Sequence, residues 1–523
     1  MNTFVLGLIV LAYLISLTYL GFKGYRKSST DKDYLLAGGE IHPFVMAVSY
    51  GATFISSSAI IGFGGVAANF GMGLIWLTFL NMFVGVVVAF LFFGRKTRRI
   101  GHHLNAHTFP EFLGKSYNSK AIQVFAGAVI FIAMPLYAAV VLKGGAVFIE
   151  KIFEIDYNIA LFLFALVIAA YVIAGGLRGV MYTDALQGTI MFASMIFLLI
   201  WTYKTIGMGF GEANVHLSEM ASEVPDKLKA IGHMGWTSMP EAGSPWWYTL
   251  VTSLILGVGI GVLAQPQLVV RFMTVKSTKE LNRAVLIGCV FILATTGIIF
   301  TVGAVSNIFF MQTEGQIAIN AVNDLDKIIP EYIKASMPGW FAAIFMLTIL
   351  SASMSTLSSQ FHAMGTSIGR DVISTISKKQ RNNTRITRGG VAFAIIISYI
   401  ICYTLSIGVI ARGTAIFFGI CAATFLPAYF CSLYWKKTTA KAAFWSMISG
   451  FSASLFALLF MHAKESQALG ISQFIFGKPV LFDKMPWPVL DPMVISLPVS
   501  IIVIVVLTLL SNNSNERNKN VLA

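Results

Sequence analysis

The chain has 523 residues, 56% of them hydrophobic and 11% charged, with a formal net charge of +14, and its mean hydropathy is +0.77. A water-soluble domain carries roughly 25% charged residues, so the composition excludes one and indicates an integral membrane protein. Apolar runs of about 20 residues suit helices crossing the hydrocarbon core, and the short alternating segments of an outer-membrane barrel are absent.

Thirteen spans are predicted in chain order, near 3–22, 43–70, 73–94, 121–150, 158–176, 182–204, 246–268, 283–308, 339–367, 388–408, 413–435, 441–462 and 488–510. The first has no basic leader and no small-residue cleavage site, and it runs directly into Lys23, Arg26 and Lys27. It therefore reads as a retained span and not a signal peptide. Span two carries Ser49–Ser58, "SYGATFISSS", in the middle of an apolar run. Glycine and clustered hydroxyls there point to an unwound helix, whose freed carbonyls suit a hard cation such as Na⁺.

Span four holds Lys143, a lone cation that could meet a substrate carboxylate but is expected to snorkel outward. Span six opens near Asp184, following "YVIAGGLRGVMYTDALQG". A carboxylate in the membrane is costly and points to function, although Asp184 could instead cap its helix together with Thr183. Five spans after the second, span seven is interrupted at Thr252-Ser253 and at Gly257, Gly259 and Gly261. Interruptions at matching places in two five-span halves mark a transporter's binding site, with the second half inverted because five is odd. The plain alternative is that the glycines only let helices pack closely. Span nine contains "SASMSTLSSQ", Ser351 to Gln360, in which Ala352, Ser355, Thr356, Ser358 and Ser359 recur at helical spacing on one face. These hydroxyls could complete an ion shell begun by span two, or bond back to their own helix.

The basic loops at 95–99, 271–283, 378–388 and 436–437 fall on one side, which holds about 25 of the 37 lysines and arginines. That side is expected to be cytoplasmic, with the amino terminus outside and the carboxyl terminus inside a cell (inner) membrane. His102, His103 and His107 read as surface residues of a cytoplasmic loop, and His362 as a packed core residue. Cys289, Cys402, Cys421 and Cys431 show no metal-ligand spacing and read as small core residues.

Five motifs occur in order: "YLLAGGEIHPF" from Tyr34, "HTFPEFLGKSY" from His107, "AGGLRGVMYTDALQG" from Ala174, "QPQLVVRFMTVKS" from Gln265 and "FLPAYFCSLYWKKTTAKAAFWSMISG" from Phe425. In these the chain resembles the sodium/solute symporter family, whose bacterial members carry proline, pantothenate, sialic acid and sugars. The resemblance implies an all-α polytopic protein with a leucine-transporter-like fold of two inverted five-helix repeats. It implies an extra amino-terminal span and loop (1–42), a first repeat (43–204), an extracellular loop (205–245), a second repeat (246–435) and two further spans with a tail (436–523). One sodium site would then comprise the carbonyls of Ala52, Ile55 and Ala352 with the hydroxyls of Ser355 and Thr356. A second would use Asp184, Ser355, Ser358 and Ser359. Thr53, Phe54 and Ser56, with Tyr137, Thr252 and Ser253, would face the solute.

This sequence departs from the proline carriers, which have an acidic residue near position 54, and from the sugar carriers' polar set. Between Phe79 and Ala89, span three is apolar apart from Asn81. A monocarboxylate or an amino acid is therefore expected as the solute, with Na⁺ as coupling ion, no other cofactor, the lipid bilayer as surroundings and no nucleic acid. The oligomeric state is left open, a monomer included. The rival readings are a proton-coupled carrier of the same fold, a transporter-like sensor and a membrane enzyme. The sensor lacks a signalling domain, and for the enzyme Asp184 is the one membrane carboxylate of note.

Overall fold

The computed structural model describes residues 3–26, 35–377, 383–406 and 408–511. The expected cytoplasmic tail and part of the basic loop 378–388 lie outside the described residues. Among the described residues the chain is helical, joined by turns and one isolated bridge, Ile41 to Val275. Ten helices among the described residues are long and apolar enough to cross a membrane, and shorter apolar helices cover Gly7–Lys23, Pro43–Phe54 and Tyr157–Ala169.

The principal helices are α1 (Thr3–Arg26), α2 (Pro43–Phe54), α3 (Phe63–Phe70), α4 (Ile75–Met82), α5 (Phe109–Ser116), α6 (Lys120–Phe153) and α7 (Tyr157–Ile206). They continue with α8 (Thr278–Glu314), α9 (Leu325–Ser336), α10 (Gly339–Thr366), α11 (Asn383–Thr404), α12 (Ile410–Tyr434), α13 (Ala440–Phe460) and α14 (Pro492–Leu510). Spans two and three meet at Gly71, whose φ of +66° turns the chain. A Cβ there would lie 2.0 Å from the Trp236 carbonyl oxygen, so only glycine fits. The predicted spans 158–176 and 182–204 fall in one continuous helix, α7, with no proline between them to end the first.

Two breaks matter for the site. Helix α2 stops at Phe54, Ile55 is extended (φ −85°, ψ 93°), and a π-helical turn, Ser58–Gly62, starts the second half of span two. Span seven behaves differently from expectation. It widens to a π-helix over Thr249–Gly257, tightens to 3₁₀ over Val262–Ala264 and breaks only at Gln265–Pro266. Its glycines serve close packing: a Cβ on Gly259 would meet Leu80, and one on Gly261 would lie 2.4 Å from the Phe418 carbonyl oxygen.

The segment after span eight forms a lid. Helix α9 lies so close to α3 that a Cβ on Gly65 would be 1.9 Å from the Leu325 carbonyl oxygen. Three ion pairs fasten α9 to the end of α6: Lys151–Glu331 at 2.5 Å, Lys327–Glu150 at 3.2 Å and Lys334–Glu154 at 2.7 Å. Lys143 does not reach free into solvent. Its Nζ donates to the carbonyls of Ser406 (2.5 Å) and Leu405 (3.3 Å), which neutral oxygens can satisfy because their loop folds over α6.

The long loop 205–245 caps the end of α3. Trp236 Nε1 donates to the Ala68 carbonyl at 2.8 Å, and His233 Nε2 lies 2.9 Å from the Asn69 carbonyl. His233 Nδ1 accepts from the Gly235 amide at 3.0 Å, so the ring is neutral with its proton on Nε2. Burial holds its pKa below the ordinary 6.5, against the bond to Asn69 that raises it. A depressed histidine leaves the unfolded chain holding more protons, so stability rises with pH in that window. Acidification below 6.5 should therefore loosen this loop, read as faster amide exchange at 233–236, and His233→Gln should blunt the effect.

The basic side corrects another expectation. His107 is drawn in: its Nδ1 lies 2.9 Å from Arg370 Nη2, and Glu111 takes ion pairs from Arg370 (3.2 Å) and Lys115 (2.8 Å). Burial opposes charge on Glu111, yet those two cations hold its carboxyl below the usual range. His102 Nε2 lies 3.0 Å from the Met273 carbonyl. The α5 segment folds back onto the end of span nine, which a reading of local sequence does not reveal. The four cysteines form no disulfide, with three buried and Cys289 half-buried.

Candidate functional site

The break in span two faces span nine. Helix α2 ends without capping its last carbonyls except Gly51, which accepts from the Ile55 amide at 2.8 Å. The hydroxyls of α10 meet them. Ser355 Oγ donates to the Ala52 carbonyl at 2.8 Å and lies 3.3 Å from that of Ala352, and Thr356 Oγ1 donates to the Thr53 carbonyl at 2.9 Å. All of these residues are buried. Carbonyl and hydroxyl oxygens converging in a dry setting form a set suited to Na⁺. Thus Ala52, Ala352, Ser355 and Thr356 come together, with Ile55 at the break itself.

Deeper toward the basic side, Asp184 of α7 is fully buried and lies among α2 and α10. Its Oδ2 accepts from Ser49 Oγ at 2.7 Å and lies 3.4 Å from Thr53 Oγ1. Ser359 Oγ is 3.3 Å from Thr53 Oγ1, and both Ser358 and Ser359 donate back to the Ser355 carbonyl, at 3.1 and 3.0 Å. Asp184 is therefore a core member of this cluster and not a helix cap. Thr183 instead bonds back to Gly179 and Val180 of its own helix.

A residue that sequence reasoning placed in a cytoplasmic loop completes the cluster. Arg271 is wholly buried. Its Nη2 lies 2.9 Å from Asp184 Oδ2, 2.7 Å from Ser359 Oγ and 2.5 Å from Thr53 Oγ1. Its Nε donates to Ser49 Oγ at 3.1 Å and its Nη1 to the Gln267 carbonyl at 2.6 Å. The break at Gln265–Pro266 lets the chain re-enter the bundle and carry Arg271 inward. The quoted motif "QPQLVVRFMTVKS" contained the signal, a proline followed by a cation inside an apolar run.

A cavity lies on the other side of the break. It is lined by Phe54, Ile55 and Ser56 with Tyr137, Asn81 and Phe418, among others, and has room for a water-sized occupant (about 20 Å³). The Tyr137 hydroxyl is bonded to Ser56, and its ring meets Phe418 edge-on at 5.4 Å. Phe54 lies 6.2 Å from Phe418 between ring centroids. Asn81 Oδ1 is buried without a hydrogen-bond partner. Thr296 and Thr414, which the sequence did not single out, also line the cavity.

Three of the predicted solute-facing residues sit elsewhere. Thr53 points into the Asp184 cluster. Thr252 Oγ1 donates to the Tyr248 carbonyl at 2.6 Å and accepts from the Asp491 amide at 3.2 Å, and Ser253 bonds the Asp491 side chain. Span thirteen thus claims both hydroxyls.

A family model described as "Sodium:solute symporter family" matches residues 34–450. The high-affinity proline transporter PutP of Bacillus subtilis is 26% identical over 441 residues, covering 82% of this chain and 87% of that protein. The sodium/pantothenate symporter of Haemophilus influenzae is 27% identical over 457 residues, 86% of this chain and 87% of that protein. Among solved structures, a substrate-bound outward-open Na⁺-coupled sialic acid symporter superposes with a TM-score of 0.76 at 17% identity, covering 97% of this chain and 98% of that one. Inward-facing Mhp1 gives 0.53 at 13% identity, with 92% and 94% covered. The likeness establishes the leucine-transporter fold.

Proposed function

Since the chain belongs to the sodium:solute symporter family and so performs sodium-coupled uptake of a solute, we propose that the solute is a small monocarboxylate or amino acid. The curated relatives named above carry proline and pantothenate, each of which bears a carboxylate. The cavity beside the break is mainly apolar and carries no charged side chain in its lining. A carboxylate there would meet the amino-terminal, positive end of the half-helix that starts at Ser58. Phe54, Tyr137 and Phe418 would cover the apolar part of the solute, and Ser56 and Asn81 its polar edge.

The observation that carries the sodium assignment is the pairing of Ser355 and Thr356 with the carbonyls exposed where α2 ends. A Na⁺ bound there would take the carbonyl oxygens of Ala52, Ile55 and Ala352 and the hydroxyl oxygens of Ser355 and Thr356. A second ion would use Asp184 with Ser355, Ser358 and Ser359. Each Na⁺ moving inward supplies about 2.3 kcal/mol per 100 mV of potential, and a tenfold gradient adds about 1.4 kcal/mol. The first repeat (43–204) and the second (246–435) would rock about these sites in a cell membrane, with the amino terminus outside. Coupling requires Na⁺ to bind the outward and inward states unequally.

The test is thermal stability of the purified protein against monocarboxylates, amino acids, pantothenate and sugars, each in NaCl and in KCl. A monocarboxylate or amino acid should stabilise in NaCl alone. Stabilisation by a sugar would overturn the solute class, and equal stabilisation in KCl would overturn the sodium site. Tyr137→Phe should raise the solute KM about fivefold to tenfold through one lost hydrogen bond, leaving the Na⁺ dependence as it was. A shifted Na⁺ dependence with an unchanged KM would place Tyr137 outside the solute site.

A further inference from the structure

The guanidinium of Arg271 contacts the same oxygens that the second Na⁺ would use: Asp184 Oδ2 at 2.9 Å and Ser359 Oγ at 2.7 Å. Arg271 and Asp184 are both buried, their side chains 1% and 0% exposed, so the pair is neutral and dry. A sodium ion added beside it would leave an uncompensated positive charge in a setting that screens poorly. The two cations therefore exclude each other at this position. We propose that the Arg271 guanidinium and a Na⁺ ion are alternating occupants of the Asp184–Ser359 position, the arginine neutralising the carboxylate whenever the ion has left.

Three observations support the exchange. Asp184 Oδ1 is buried without a hydrogen-bond partner, and so is Gln187 Oε1 one turn along α7. The arginine satisfies only half of the carboxylate, which leaves an acceptor through which an arriving ion can engage before the guanidinium departs. Arg271 also stands on a short 3₁₀ turn, Val270–Met273, just past the break at Gln265–Pro266, where the backbone lacks the ladder that fixes a long α-helix. Beside it opens a cavity of about 30 Å³ lined by Arg271, Ser359, Gln267 and His362 together with His107 and Thr108 of the basic-side loop. The cavity touches both Arg271 and Ser359 and reaches the basic-side loop.

The arrangement answers a physical problem of any ion-coupled carrier with a buried carboxylate. After releasing solute and ions, the empty protein must return to its outward state, and a bare carboxylate in a closed core is strongly disfavoured. A tethered cation removes that obstacle and is not itself carried. Arg271 thus acts as a positioning residue for the return step. The inference rests on the second-ion reading above.

The test compares Arg271→Gln, Arg271→Lys and the pair Asp184→Asn/Arg271→Gln with the wild type. In R271Q the carboxylate loses its resident cation, so replacing KCl by NaCl should raise the melting temperature by about 3 °C or more beyond the wild-type rise. The double variant should lose that extra rise. Net uptake by R271Q should fall at least about tenfold more than exchange of internal for external solute, because exchange skips the empty return, and R271K should restore part of the net uptake. If R271Q is destabilised equally in both salts, or if net uptake and exchange fall together, the arginine is merely structural and the proposal fails. Should R271Q not fold, R271K still decides it: an overall loss of transport there with an unaltered ratio of net uptake to exchange would overturn it. A wild type blind to NaCl would instead overturn the sodium reading itself.

Discussion

Replacing Ser355 or Thr356 by alanine should raise the Na⁺ concentration for half-maximal uptake about tenfold. Each hydroxyl is buried and lies 2.8–2.9 Å from a carbonyl at the end of α2, so each would supply one of about five oxygens to the ion. Losing one oxygen at a charged, dry site costs about 1.5 kcal/mol or more, close to a factor of ten. Alanine fills less volume but leaves α10 intact, since both side chains point at α2 and neither caps a helix. The measurement is solute uptake as a function of Na⁺ at fixed ionic strength. Unchanged Na⁺ dependence in both variants would remove the first site. A matched fall in maximal rate alone would mean the hydroxyls serve packing between α2 and α10.

Asp184→Asn should have the largest effect on the folded protein. The carboxylate holds Arg271 at 2.9 Å with both side chains buried, and Ser49 also donates to it, at 2.7 Å. Removing one partner of a buried pair leaves the other charge unmet, which costs about 3–5 kcal/mol. The melting temperature should fall accordingly, and the fall should shrink when Arg271→Gln is added, because neutral groups then replace both charges. Where the single variant still transports, the number of Na⁺ moved per solute should drop. Paired measurements of radiolabelled Na⁺ and solute entry read this directly, and an unaltered ratio would withdraw Asp184 from the ion path.

Much of this protein was settled by the sequence. Low charge and recurrent apolar runs placed it in the membrane, and the segments predicted to be spans are helical among the described residues. The break in span two and the hydroxyl face of span nine were legible because both are local. Clustered serines disfavour a continuous apolar helix where they stand, whereas Gly51, also expected to interrupt the span, stays inside α2; helical spacing alone puts Ser355, Ser358 and Ser359 on one side.

What only the tertiary structure decided were contacts between distant parts of the chain. Arg271 reads in sequence as one more cytoplasmic charge, and its burial follows from meeting Asp184, 87 positions away. Thr252 seemed free to face a solute, but Asp491, 239 positions on, occupies it. His107 looked like a solvated histidine until Arg370 folded against it. Glycines serve close packing in both spans, Gly51 against Phe291 and Gly259 and Gly261 against Leu80 and Phe418, neighbours that exist only once the bundle has closed. Helix periodicity and hydropathy report what a segment prefers by itself. The partner of a buried charge or hydroxyl is set by which helices the fold brings alongside, and in a dry core that partner determines whether the group holds an ion, a solute or its neighbour.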